Sequence, residues 1–526
     1  MKFDRLLANL VFFLLPFTAS LNAQDTIPVN SDEHWWSGVI HLGEQMPHTG
    51  TFSFDFSHSW SPNQLQPLLV SSQGRYIYSD QPFAYTISMK EIQLNGTGEF
   101  VIRKAGNTLK EAYLAASKSH FPFSGKIPDT IMFTKPQYNT WIELTHNQNQ
   151  EDVLAYARSM LDNGLPAGVL MIDDTWQEDY GVWDFHPGRF PAPRAMMDSL
   201  HAMGFKVMLW VCPFVSPDSR EYRMLKNRPY DAFIKEAGGN EPKMVRWWNG
   251  VSAVLDFSNP AARKWFEERL GHLQETYGVD GFKLDAGDTE FYHNAAYFDS
   301  TLTANDHSRM FAEIGLKYPL NEYRACWQMG GQALAQRLWD KNHDWMDVQK
   351  LIPHIGLQGL MGYPYACPDM IGGGEYINFK SIKAIDQELV VRAAQVHALM
   401  PMMQFSVNPF RILDEEHLAA IKESVQLKEK FAPLVLELAV RASQTGEPVV
   451  RLMEYEFPHQ GYAEIKDQFM LGPDYLMAPV VEKGAKERKV VLPKGDWEGF
   501  DGKTYQGGKT ITVEVGLATV PFFKKL

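Results

Sequence analysis

Apolar and polar residues alternate one for one through Thr51-Phe-Ser-Phe-Asp-Phe56, as they do in a strand with one buried face. Residues from about 35 to 125 keep this strand character and show no helical periodicity. Leu94-Asn-Gly-Thr97 reads as the turn of a hairpin. From about 130 the pattern changes. Thr140-Trp-Ile-Glu-Leu144 is strand-like, Glu151 to Leu161 is helical, and Gly168-Val-Leu-Met-Ile-Asp173 is again a strand. A helix from Ala195 to Met203 precedes the strand Lys206-Val-Met-Leu-Trp-Val211, and a helix from Ala261 to Tyr277 precedes Val279-Asp-Gly-Phe-Lys-Leu-Asp285. This alternation implies a parallel sheet with helical cover. A (β/α)8 TIM barrel is the leading choice at this length. A doubly wound sheet is the alternative, but no Gly-x-Gly-x-x-Gly loop follows any strand. After about 440 short strands return, including Val449-Val-Arg-Leu-Met453 and Thr510-Ile-Thr-Val-Glu-Val515, with turns at Pro493-Lys-Gly-Asp496 and Gly507-Gly508.

The expected organisation is therefore a barrel over 129–438, flanked by an N-terminal β-sandwich over 24–128 and a C-terminal β-sandwich over 439–526. Residues 1–23 read as a secretory signal: Lys2 and Arg5, an apolar run from Leu10 to Ala19, and a small-x-small site at Ser20-Leu-Asn-Ala23. The run is too short to span a bilayer comfortably. Export to the periplasm or the outside is expected, with no membrane span once the signal is removed. An uncleaved anchor and a buried helix are the alternatives.

The 526-residue chain has a formal net charge of −13, which argues against a nucleic-acid partner. Its cysteines, Cys212, Cys326 and Cys367, are too few and too scattered for a disulfide framework and read as packing residues. No His/Cys/carboxylate cluster has metal-ligand spacing, so neither metal nor cofactor is expected.

Chemistry collects at the expected strand ends, where a barrel enzyme builds its site. Lys283 and Asp285 should share one face of their strand. An ammonium there favours the ionised carboxylate that a nucleophile needs. Asp173-Asp174 and Trp176 end the second strand, Trp210 the third, and Asp285 the fourth, with Asp288 beyond it. Arg324 and Trp327 follow the fifth; Asp340 and Asp369 come later. Carboxylates set among tryptophans suit a sugar, whose hydroxyls donate to carboxylates and whose C–H faces stack on indole. Each residue has a plainer reading. Trp210 can be core, Asp173 and Asp174 loop caps, and Arg324 a structural ion pair.

Several motifs together resemble glycoside hydrolase family 31, from about residue 130 to the end. They are Ile172-Asp-Asp-Thr-Trp176, Trp183-Asp-Phe-His-Pro-Gly-Arg-Phe-Pro191, Gly204-Phe-Lys-Val-Met-Leu-Trp210 and Lys283-Leu-Asp-Ala-Gly-Asp288. Pro368-Asp-Met-Ile-Gly-Gly373, Phe469-Met-Leu-Gly-Pro473 and Leu492-Pro-Lys-Gly-Asp-Trp497 complete them. The resemblance implies a retaining α-glycosidase acting on an oligosaccharide or glycoside, with Asp285 as nucleophile. The family usually shows Gly-Asp-Asn at its acid/base, where this chain has Trp339-Asp-Lys-Asn342. The interval from Arg324 nevertheless matches, so the resemblance assigns Asp340, with Asp344 as fallback. It also implies that Arg324, Asp173 and Asp369 hold the sugar. A pair that retains configuration should stand roughly 5–5.5 Å apart. Asp340, protonated at rest, should lie beside Trp339 and near its anionic partner. The motif spellings look most like the α-galactosidase branch, with α-glucosidase or α-xylosidase next. A carbohydrate-binding protein with a decayed site is the reading of another class. The Pro217 to Val245 loop has the length of a lid or wall.

Overall fold

A computed structural model describes residues 23–526, apart from 382 and 384. The expected signal segment lies outside these residues except for Ala23, which opens the strand Ala23–Pro28.

Eight parallel strands form the central sheet: β1 (Gln137–Asn139), β2 (Val169–Ile172), β3 (Lys206–Val211), β4 (Gly281–Leu284), β5 (Asn321–Tyr323), β6 (Gln336–Arg337), β7 (Ala366–Cys367) and β8 (Gln404–Phe405). They pair in the order β7-β6-β5-β4-β3-β2-β1-β8, so β8 curls back beside β1 and the sheet is a near-closed barrel. The runs Val-Leu-Met-Ile in β2 and Val-Met-Leu-Trp-Val in β3 are wholly buried, because helices cover one face and the barrel interior the other. Helices include α1 (Gln150–Asp162), α2 (Pro193–Ala202), α3 (Pro260–Tyr277), α4 (Ala304–Gly315), α5 (Trp345–Leu360), α6 (Gln387–Ala398) and α7 (Glu415–Thr445). Side-chain caps start most of them; the Asn149 carboxamide accepts from the Asp152 amide, and Asp344 caps α5 in the same way.

Two four-stranded antiparallel sheets lie N-terminal to the barrel, and a six-stranded and a two-stranded sheet lie C-terminal to it. Among the described residues no helix is long and apolar enough to cross a membrane.

Several expectations about local structure are corrected. Leu94-Asn-Gly is not a turn. The strand Glu91–Gly96 runs through it and pairs on both sides, with Ala23–Pro28 and Phe83–Ile87. The turn comes earlier, where the Ser88 hydroxyl accepts from the amides of Lys90 and Glu91. Two ladder partners outweigh a dipeptide preference. The stretch thought free of helices holds Leu109–His120, begun by a capping box between Thr108 and Glu111. Trp141–Leu144 is one turn of helix and not a strand, because the Asn139 carboxamide accepts from the Trp141 amide at 2.8 Å and turns the chain as β1 ends. Helices were expected to stop by about 440; α7 continues to Thr445, where Gly446 at φ +79° ends it.

Candidate active site

A cavity of about 390 Å³ opens at the C-terminal ends of the strands. Asp173, Asp174, Trp210, Lys283, Asp285, Asp288, Arg324 and Asp340 line it, so eight residues picked out by strand position share one space.

Asp285 follows β4 directly. The next residue, Ala286, takes φ +63°, and its amide donates to Asp285 Oδ1 at 2.8 Å. Arg324 Nε donates to the same oxygen at 3.0 Å, and the Trp210 indole donates to Oδ2 at 3.1 Å. Burial alone would raise the proton affinity of this carboxyl. The guanidinium of Arg324, the ammonium of Lys283 and the more distant Arg337 outweigh burial and hold it well below the usual carboxylate range. Asp285 is thus ionised, oriented by three donors and open to the cavity.

Lys283 was expected beside Asp285. Its direct partner is Asp173, at 2.6 Å, with both side chains at most 5% exposed. Its charge reaches Asp285 through space, and Arg324 supplies the direct contact. Arg324 also binds both oxygens of Asp288 and the Pro62 carbonyl, so four of its donors are engaged. Asp174 accepts from Tyr180, Asn249 and the Thr175 amide. Burial, with the charge of Asp173 beside it, pushes Asp174 up to about 7.

Asp340 lies three residues past the end of β6. It was expected to have aromatic and anionic neighbours; its direct partner is a cation. Arg337 Nη1 donates to Asp340 Oδ1 and to Asp369 Oδ1, both at 2.6 Å. Arg337 Nε lies 3.4 Å from the buried Glu322. The side chain of Arg337 is only 2% exposed and also lines the cavity.

The comparison with other proteins decides the lineage. Residues 130–438 match the model described as "Glycosyl hydrolases family 31 TIM-barrel domain", and residues 446–525 the "Glycosyl hydrolase family 31 C-terminal domain". The chain belongs to glycoside hydrolase family 31. It is 33% identical over 419 residues to the mouse (Mus musculus) myogenesis-regulating glycosidase, covering 77% of this chain and 58% of that protein. It is 25% identical to alpha-glucosidase 2 of Bacillus thermoamyloliquefaciens over 72% of this chain and 51% of that one. The chain therefore spans little more than half the length of these curated relatives. The family 31 dextranase FjDex31A of Flavobacterium johnsoniae, complexed with glucose, superposes with a TM-score of 0.82 at 20% identity, covering 95% of this chain and 66% of that one, and shares the fold.

Within this family 31 barrel, four expected residues stand away from the cavity. Trp176 is buried, donates its indole N–H to the Trp210 carbonyl at 2.7 Å and packs on Phe185, so it supports Trp210 from behind. Trp327 packs against Phe56 of the N-terminal sandwich, 5.8 Å between rings, and belongs to the domain interface. Asp369 is fully buried at φ +97°, and its side chain turns back to Arg337 and to the Lys341 amide. Asp344, the fallback acid/base, caps α5 by accepting from the Asp347 amide at 2.8 Å.

Sequence reasoning missed Arg337 and most of the rim. Trp60 comes from the N-terminal sandwich. Trp248 and Asn249 form the tip of a hairpin between Met244–Trp247 and Gly250–Val254, just past the expected Pro217 to Val245 wall. Trp-Asn-Gly, a turn sequence carrying a large aromatic, was the available signal for this tip, where Trp248 is 48% exposed. Glu290 also lines the cavity, and burial, with Asp288 nearby, pushes it up to about 7. Among the described residues no three His, Cys, Asp or Glu side chains converge to hold a metal ion.

Proposed function

We propose that this chain is a retaining glycosidase that removes a terminal α-linked sugar by double displacement. One observation carries the reading: Asp285 after β4 and Asp340 after β6 open onto one cavity, the first held ionised by cations and the second partly exposed. A carboxylate oxygen of Asp285 attacks the anomeric carbon and forms an ester, while the glycosidic C–O bond breaks. Asp340 gives its proton to the departing oxygen. Asp340 then takes a proton from water, which attacks the same carbon and frees Asp285. Two inversions leave the α configuration unchanged. Asp173, Asp174, Trp210, Lys283 and Arg324 would surround the cleaved sugar, with Trp176 and Asp369 supporting them.

For the sugar we favour α-galactose, on the spellings Asp173-Asp-Thr-Trp176, Asp285-Ala-Gly-Asp288 and Pro368-Asp-Met-Ile-Gly-Gly373. The names of relatives, an alpha-glucosidase and an alpha-xylosidase among them, speak for a glucoside or xyloside as the second reading. Hydrolysis of nitrophenyl α-galactoside, α-glucoside, α-xyloside and α-sulfoquinovoside, with the first product anomer followed by NMR, tests both points. A β anomer as first product refutes retention; preference for another sugar refutes galactose. Binding of sugar without turnover by wild-type protein would support the decayed-site alternative. Export to the periplasm or outside remains part of the proposal, tested by fractionating cells that express the full chain.

A further inference from the structure

The segment Trp339-Asp340-Lys341 is held from both sides by the N-terminal sandwich. On one side His41 meets Trp60 edge to face at 5.4 Å, and Trp60 meets Trp339 in the same way at 5.7 Å. On the other, Glu44 Oε2 lies 2.6 Å from His354 Nε2, and Lys341 Nζ lies 3.1 Å from His354 Nδ1. Lys341 and His354 are 3% and 1% exposed. None of Glu44, His354 and Lys341 lines the cavity.

The contacts fix the protonation pattern. Lys341 can only donate, so His354 Nδ1 accepts, and Nε2 carries the proton given to Glu44. Burial favours this neutral ring, pushing His354 down to about 4. The backbone of Lys341 ties the chain to the site, because its amide donates to Asp369 Oδ2 at 2.8 Å, and Asp369 shares Arg337 Nη1 with Asp340.

Two glycines show that these approaches are close. A Cβ on Gly43 would lie 2.8 Å from the Pro353 carbonyl oxygen and 3.0 Å from His354 Cα, so the turn bearing Glu44 sits directly on α5. A Cβ on Gly374 would lie 2.9 Å from Asp369 Oδ1 and 3.0 Å from Asp340 Cβ. A buried charged chain is a poor way to gain stability, since apolar packing of similar volume does as well or better. Its directional bonds do fix a place.

We propose that Glu44, His354 and Lys341 are positioning residues that set the place of Asp340, so that the N-terminal sandwich aligns the acid/base of the barrel. The inference rests on Asp340 being that acid/base.

The test compares two glycosides of the preferred sugar, one with a dinitrophenolate leaving group that departs without a proton and one with an alkyl leaving group that needs it. Glu44→Ala and Lys341→Met should lower kcat/KM about ten- to a hundredfold for the alkyl glycoside. The dinitrophenyl glycoside should stay within about twofold of wild type. Glu44→Gln keeps an acceptor for His354 Nε2 and should restore the alkyl rate. Equal losses on both substrates, no loss on the alkyl glycoside, or failure of Glu44→Gln to rescue would each overturn the proposal. Thermal unfolding of each variant checks that it is folded, and Lys341→Met, which replaces a buried ammonium by an apolar chain, stands in should Glu44→Ala unfold. A wild-type protein inert to both glycosides would instead overturn the glycosidase reading, and this one with it.

Discussion

The guanidinium of Arg324 lies against Asp285, donating from Nε to Oδ1 at 3.0 Å, while its terminal nitrogens hold both oxygens of Asp288 at 2.9 and 2.6 Å. One cation thus serves two buried carboxylates. Arg324→Met should raise the proton affinity of Asp285, since the cation that most strongly lowers it is gone. In the proposed mechanism the ionised form is the nucleophile, so the acid limb of the kcat/KM profile should move to higher pH. The sign for stability follows. A carboxyl with a depressed folded value stabilises the fold above its unfolded value of about 3.9, and that contribution is lost as pH falls through the folded value. Without Arg324 it is missing at neutral pH, and leaving buried carboxylates unpaired should cost about 3–5 kcal/mol. Thermal unfolding at pH 7 and a pH–rate profile measure both effects.

Asp285→Asn should keep the fold, because Arg324 retains Asp288 and the amide oxygen still accepts from Ala286. Turnover should fall by about 10³-fold or more, as for loss of a nucleophile. Thermal unfolding beside the rate on the preferred nitrophenyl glycoside distinguishes lost chemistry from lost structure.

Asp340 and Asp344 are separated by a second pair of variants. Asp340→Ala should lower kcat/KM for an alkyl glycoside by about 10²–10⁴-fold and spare a dinitrophenyl glycoside. Asp344→Ala removes the cap of α5 and should cost about 1 kcal/mol of stability without changing the ratio of the two rates. The reverse pattern would move the acid/base to Asp344.

How much of this was legible in the sequence depends on direction as well as position. The run Gly281-Phe-Lys-Leu ends on Asp285, and positions at strand ends also located Asp173, Trp210 and Arg324. A strand end does not say which way the next side chain turns. Trp176 and Asp369 stand at strand ends yet face inward, Asp369 because its φ of +97° carries it back toward Arg337. Arg337 was illegible for another reason. Beside Gln336 it reads as one more polar residue, and its role arises only when Glu322 of β5, Asp340 and Asp369 converge on it. Trp60, nearly three hundred residues before Trp339, reaches the rim only through domain packing.

Lys283 and Asp173 form a buried ion pair at 2.6 Å that reaches from β4 to the end of β2. Lys283→Met should destabilise the protein by about 3–5 kcal/mol, because the Asp173 carboxylate would be left buried without its cation. Asp173→Asn added to Lys283→Met removes that stranded charge and still accepts from the Asp174 amide. The double variant should recover about 1–3 kcal/mol. The cycle is read from unfolding midpoints of the four proteins, and purely additive losses would show that the pair does not act as a unit.

Asp174 differs from its neighbour in having no cation against it: its oxygens meet Tyr180, Asn249 and the Thr175 amide. Burial and the charge of Asp173 push it up to about 7. Here the linkage sign reverses. Between about 4 and 7 the unfolded chain has released this proton and the folded chain keeps it, so stability falls as pH rises through that window. Asp174→Asn abolishes the titration. Its carbonyl can still accept from Tyr180 and Thr175, and a turned Asn249 carboxamide can accept from its new N–H. The variant should therefore unfold at a higher temperature than wild type at pH 7 and show no such gain at pH 4. If Asp174 also holds a hydroxyl of the cleaved sugar, the added stability should come with a higher KM. A gain in unfolding temperature that is the same at both pH values would mean that ionisation of Asp174 is not its source.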